Sequence, residues 1–269
     1  MAHMSTLIEG ARMARRKNTG WVPDQHGAWV MVIVPILLGI IITGPQLLDI
    51  PLAVAWFAGY FAFFALGLWL KVPAKRKRTF VPALATYAAI SAMASLIVIV
   101  GAPRVLWAAC WFAPLVAVAV YEAYRKRPRS VASGMSTTLA SAALIPTCGL
   151  LLPPGTADWR ALLVACAVVA LYQCGTILFV KTMIRNRGDR RWLAWSIGYH
   201  VLAAGAVIGL WLGGYCRIWP ALVMVAVAVR SWLMPYLNEG RPKPMSPKLV
   251  GMVEGIWVLA VLDSIIAGI

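Results

Sequence analysis

Nine stretches of roughly twenty predominantly apolar residues, joined by short loops, constrain this chain more than anything else in it. Wound as a helix at about 1.5 Å per residue, each stretch is as long as the hydrocarbon core of a bilayer is thick. With that ruler the spans fall near 26–44, 51–70, 80–100, 104–123, 132–151, 159–180, 193–213, 217–237 and 248–268. Of 269 residues, 61% are hydrophobic and 13% charged, a balance that one water-soluble core could not hide. The expected fold is an all-α integral membrane protein, with a basic tail over 1–20 and a single nine-helix domain over 21–269. Pro35, Pro82, Pro114, Pro146 and Pro235 lie inside spans and predict kinks. Gly205, Gly209 and Gly213 repeat at fours, a small-residue seam that lets another helix approach closely.

The net charge of +16 invites a nucleic-acid reading, but the charge is distributed for a different purpose. Counting Lys and Arg alone, 22 of 25 fall in the tail and in alternate loops on one side, notably 71–78, 125–129 and 181–191. Arg104, Arg160 and Arg217 are the three on the other side. This alternation sets the N-terminus inside and the C-terminus outside. The expected partners are membrane lipids and anionic headgroups of the cytoplasmic leaflet. No aromatic-interleaved soluble module is available to bind nucleic acid, so that partner is excluded. Met1 to Gly20 has no cleavage-like site before the next apolar run, so the first span is expected to remain as an anchor. Cys110, Cys148, Cys166, Cys174 and Cys216 form no CxxC pair and read as small packing residues, with no metal site and no cofactor.

Charged and polar side chains inside hydrocarbon cost several kcal/mol unless paired or hydrated, so their positions carry information. His26, Glu122, Gln173, Lys181, Arg185, His200, Arg230 and Glu254 all fall in the cytoplasmic third of their spans. His200 and Glu254 each lie about 10 Å below the interface and could meet in one chamber. Each also has a plainer reading: His200 bonded to a neighbouring helix, Glu254 paired with Arg230 or Lys248. No Walker loop, HExxH or GxSxG occurs.

The segment Trp21-Val22-Pro23-Asp24-Gln25-His26-Gly27-Ala28-Trp29, followed by Pro35 and Gly39, resembles the N-terminal signature of the YwiC-like family of bacterial membrane proteins, P-x-x-H-G-x-W then P-x-x-x-G. A more distant resemblance is to the UbiA superfamily of intramembrane prenyltransferases. Pro35 to Gly39 looks like that superfamily's first helix, and Ile184-Arg185-Asn186-Arg187-Gly188-Asp189 like a worn form of its second acidic motif. That resemblance implies a UbiA-like bundle of nine helices with a site beneath loops 2–3 and 6–7. Those enzymes hold magnesium diphosphate between Asp-rich motifs. Here Lys71 to Arg78 has no acid, and Asn186 stands where the first Asp of the second motif is expected.

These readings combine into an expected function. A basic cytoplasmic-side chamber, using His26, Lys71, Lys181, Arg185, His200 and Glu254, binds an amphipathic anionic ligand such as an isoprenoid phosphate or a quinone-type lipid. The alternatives are an atypical prenyltransferase on the same fold and a secondary transporter of a small anionic or drug-like solute.

Overall fold

A computed structural model describes residues 19–23, 26–242 and 244–269, with the backbone alone at 26–28. Among the described residues the regular structure is helical throughout. In chain order the helices are α1 (His26–Thr43), α2 (Asp49–Lys71), the single turn α3 (Ala74–Lys77) and α4 (Val81–Gly101). After a 3₁₀ turn (Pro103–Ala108) come α5 (Ala109–Tyr124), α6 (Val131–Ala142) and α7 (Leu144–Gly149). The last four are α8 (Trp159–Ile184), α9 (Arg190–Leu212), α10 (Trp219–Glu239) and α11 (Pro247–Gly268).

Seven described segments are long and apolar enough to cross a bilayer: α2, α4, the continuous 103–124 segment, α8, α9, α10 and α11. The two other expected spans take different forms. α1 is a shorter apolar helix, and the 132–151 stretch is split into α6 and α7. Helix starts follow local chemistry. Ser130, Asp158, Asp189 and Ser246 accept backbone N–H groups at the starts of α6, α8, α9 and α11. Pro82 lies in the first turn of α4, where its missing N–H costs nothing, so no kink arises there.

Pro35 inside α1 costs a hydrogen bond, and the structure replaces it. Pro35 has no N–H to give the carbonyl of Met31, four residues back. The Ser141 hydroxyl on α6 donates to that carbonyl, and the Trp56 indole N–H on α2 donates to the carbonyl of Val32 at 3.0 Å. Pro146 withdraws the bond to Ala142 and splits the fifth expected span at Ala143. The Thr147 hydroxyl then covers the Ala143 carbonyl at 2.7 Å.

α8 is the hub. It packs against α1, α6, α7, α9, α10 and α11, and is buried along more of its length than any other span. Close approaches to and around it run through single glycines. A Cβ on Gly39 would lie 2.6 Å from the Cys148 sulfur, one on Gly149 2.5 Å from Leu162, and one on Gly175 2.8 Å from His200. The Gly205/Gly209/Gly213 seam, by contrast, faces outward. Nothing lies within 4 Å of a Cβ built on Gly205 or Gly209, and the expected helix partner is absent among the described residues. A four-residue repeat marks a face without saying what covers it.

α2 and α4 lie side by side, tied by the Ser91 hydroxyl to the Ala55 carbonyl at 2.8 Å. The two tryptophans of the N-terminal segment pack on this pair. Trp29 meets Phe61 edge-on with ring centroids 5.5 Å apart, and Trp21 meets Tyr87 at 5.7 Å. At the less basic end two of the three arginines close the loops. Arg104 donates to Leu152 O at 3.1 Å, and Arg160 to Gly214 O and Tyr215 O at 2.8 and 3.1 Å.

Ser141→Ala should lower stability by about 1 kcal/mol, a typical value for an interhelical hydrogen bond in a bilayer protein, whereas Ser141→Thr should retain most of it. Unfolding midpoints of the two purified variants in the same detergent check this.

Candidate functional site

α8 carries Tyr172, Thr176 and Phe179 at a spacing that places all three on one face, and that face meets α10 and α11. Arg230 of α10 and Glu254 of α11 are 4% and 7% exposed, and they form an ion pair through Nη1 and Oε1. The other carboxylate oxygen of Glu254 accepts from the Thr176 hydroxyl at 3.0 Å and the Tyr172 hydroxyl at 3.4 Å. Both oxygens of the acid are therefore occupied. The guanidinium carbon lies 4.0 Å from the Phe179 ring centroid and 5.5 Å from that of Trp257, so two aromatic faces offset part of the cost of burying the charge.

The arginine is less well satisfied than its partner. Nε and Nη2 are both buried and have no hydrogen-bond acceptor. In the rigid plane of a guanidinium these two N–H groups point to the same edge, as a fork that fits two oxygens of one anionic group.

His200 of α9 is 1% exposed. Its Nδ1 lies 2.7 Å from the Ser196 carbonyl, which can only accept, so Nδ1 bears the proton and Nε2 presents a lone pair. That lone pair has no partner, and the ring edge carrying Nε2 lies against Gly175. Gly175 and Thr176 are consecutive on α8, so His200 and the Glu254 carboxylate stand at the same level on adjoining faces of the hub helix, with the Arg230 guanidinium over Phe179 about one turn further along. The hydroxyl of Ser196 and Oε1 of Gln173 are also buried without partners.

Of the residues singled out from the sequence, the structure sets His200 and Glu254 at one level of α8. The side chain of His26 lies outside the described residues. Lys71 and Arg185 are exposed at the ends of α2 and α8. Lys181 is half-buried and caps the Arg129 carbonyl at 3.0 Å, 5.4 Å from the Trp192 ring centroid. Asp189, in the segment resembling an acidic motif, is a helix cap, its carboxylate accepting from Arg191 N and Trp192 N. Glu122 pairs with the exposed Arg127 at 3.2 Å.

Arg230 is the residue that sequence reasoning undervalued. Its signal was present, a lone charge inside an apolar span, but it was legible only as a partner for Glu254. Tyr172 and Thr176 gave no signal, because a hydroxyl inside an apolar helix usually bonds its own backbone. The five cysteines are free thiols. A groove of about 460 Å³ between α2 and α4 is lined by apolar side chains such as Phe57, Phe61 and Ile90, away from this polar cluster.

Residues 22–149 match the family model described as YwiC-like protein. The chain is 29% identical over 234 residues to the uncharacterized protein YwiC of Bacillus subtilis (strain 168), covering 87% of this chain and 91% of that one. It is 27% identical over 183 residues to an uncharacterized protein of Haemophilus influenzae, covering 68% of this chain and 75% of that one. No solved structure matches it. The polar cluster lies beyond the family match.

Removing one member of the buried pair should cost about 3–5 kcal/mol, because the other charge is left uncompensated, while Arg230→Met combined with Glu254→Leu should recover most of that loss. Thermal unfolding of the two single variants and the double variant in detergent reads the difference.

Proposed function

We propose that this chain, a YwiC-like protein by its front half and by its similarity to the Bacillus protein, binds an amphipathic anionic ligand inside its basic end, with the headgroup on the open edge of Arg230. The observation that carries this reading is the pair of unfilled donors, Nε and Nη2, on a guanidinium that is 4% exposed. Buried donors without acceptors are costly, and a bidentate anion fills both at once. Glu254 acts here through Arg230: it holds the guanidinium plane by Nη1 and leaves the fork free. His200 adds a second polar group at the same level. Lys71, Lys181 and Arg185, with His26 at the start of α1, supply the positive potential that draws an anionic headgroup to this end, about 1 kcal/mol for each exposed cation. An isoprenoid phosphate or a quinone-type lipid has the required combination of polar head and apolar tail.

In the same reading the chain crosses the cytoplasmic membrane of a bacterium nine times, N-terminus inside and C-terminus outside. α1, and α6 with α7 taken together, have 18 and about 19 residues, roughly 27–28 Å of helix, close to the thickness of the hydrocarbon core. The distribution of basic residues supports the orientation. A UbiA-like arrangement of the bundle goes with this count. A magnesium diphosphate site does not, because 71–78 has no acid and Asp189 is engaged as a helix cap.

Arg230→Lys keeps a positive charge opposite Glu254 but removes the fork. It should weaken binding of a radiolabelled isoprenyl phosphate to the purified protein about tenfold or more with little change in the unfolding midpoint, and equal affinity would overturn the reading. A periplasm-active phosphatase fused after Ile269 should be active, and the same enzyme fused after Arg187 inactive.

A further inference from the structure

We propose that the ligand of this site is a phosphate monoester, with one P–OH donating to Nε2 of His200 while two further oxygens of the same phosphorus lie on the Nε and Nη2 edge of Arg230. The proposal rests on the binding reading above and chooses among the ligands that reading allows.

Two unfilled and complementary hydrogen-bonding edges lie within about one turn of the hub helix. On one face of α8, against Phe179, stand two N–H donors with nothing to donate to. On the adjoining face, against Gly175, stands one lone pair with nothing to accept from. The lone pair is assigned by geometry. Nδ1 is committed as a donor to the Ser196 carbonyl at 2.7 Å, which leaves neutral Nε2 as an acceptor. A second cation next to a buried, already charged Arg230 is costly, so His200 remains the neutral partner that needs a donor.

A ligand that satisfies both faces must bring an anionic edge and a hydroxyl on neighbouring vertices of one group. A carboxylate provides the edge without the hydroxyl, a phosphate diester likewise, and a quinone offers acceptors alone. At pH 6 a tetrahedral phosphate monoester offers all three oxygens, with one of them protonated in about half of the molecules, since its second ionisation lies near pH 6. Gly175 contributes by lacking a Cβ. A methyl group there would come within 2.8 Å of Nε2 and occupy the space beside the lone pair.

The test compares two single-tailed probes that differ by one methyl group, hexadecyl phosphate and hexadecyl methyl phosphate, bound to the full-length purified protein in nanodiscs at pH 6. The monoester should bind about tenfold more tightly than its methyl ester, the usual worth of one hydrogen bond to a buried group. In His200→Leu the monoester should lose its advantage, the ratio of the two affinities falling to about one, and an unfolding midpoint near that of the wild type reports that the variant is folded. Arg230→Lys should weaken both probes equally. Equal affinities in the wild type with Arg230 dependence retained, or a preference that persists in His200→Leu, would overturn the monoester proposal alone. Binding of neither probe, or binding indifferent to Arg230→Lys, would overturn the anion-binding reading beneath it and this proposal with it. Inorganic phosphate identifies the source of the group. Tight binding of hexadecyl phosphate against weak binding of inorganic phosphate assigns a lipid-borne monoester and supports the proposal, whereas equal binding of the two assigns free phosphate and overturns it.

Discussion

Hydrocarbon offers a backbone carbonyl no water to bond, and much of this architecture follows from that constraint. Where Pro35 withdraws its N–H group, a neighbouring side chain steps in. Ser141 reaches from α6 to Met31, Trp56 from α2 to Val32, and Thr147 covers Ala143 from within its own turn. These bonds also fix helix positions. Beside Pro35, α1 is held from both sides, by Ser141 of α6 at the Met31 carbonyl and by Trp56 of α2 at the Val32 carbonyl.

The same constraint makes the Arg230–Glu254 cluster informative. Elsewhere in the interior, hydroxyls of Thr138, Thr182 and Ser264 return to carbonyls of their own helices. Around Arg230 the balance fails, with Nε and Nη2 left over on α10, Nε2 of His200 and the Ser196 hydroxyl on α9, and Oε1 of Gln173 on α8. Packing alone would favour replacing such groups by apolar ones of similar volume. Their retention at one depth, at the basic end of the bundle, is why the ligand reading centres on them rather than on the more numerous loop cations.

Much of the helix layout was legible in the sequence. The span limits near 51–70, 159–180, 193–213 and 248–268 agree with α2, α8, α9 and α11 to within a few residues, because length and apolarity are local properties. Caps at Ser130, Asp158, Asp189 and Ser246 are local in the same way. The exceptions are instructive. The seam on α9 looked like a contact face and is bare at Gly205 and Gly209, while Gly39, Gly149 and Gly175, which do admit a neighbouring helix, belong to no such repeat. A spacing defines one surface, and close approach needs two.

The candidate site divides along the same line. The chain by itself determined that charges inside its spans are few and gather toward one end, because the solvation penalty in a bilayer depends on composition and depth alone. It also determined that Glu254 would need a cation, with Arg230 and Lys248 both in reach along the sequence. Only the tertiary structure decided that the cation is Arg230, that Thr176 and Tyr172 complete the carboxylate, and that one edge of the guanidinium stays open. Those outcomes depend on how three helices are rotated about α8. Rotation is set by packing between faces far apart in sequence, and no single helix carries that information.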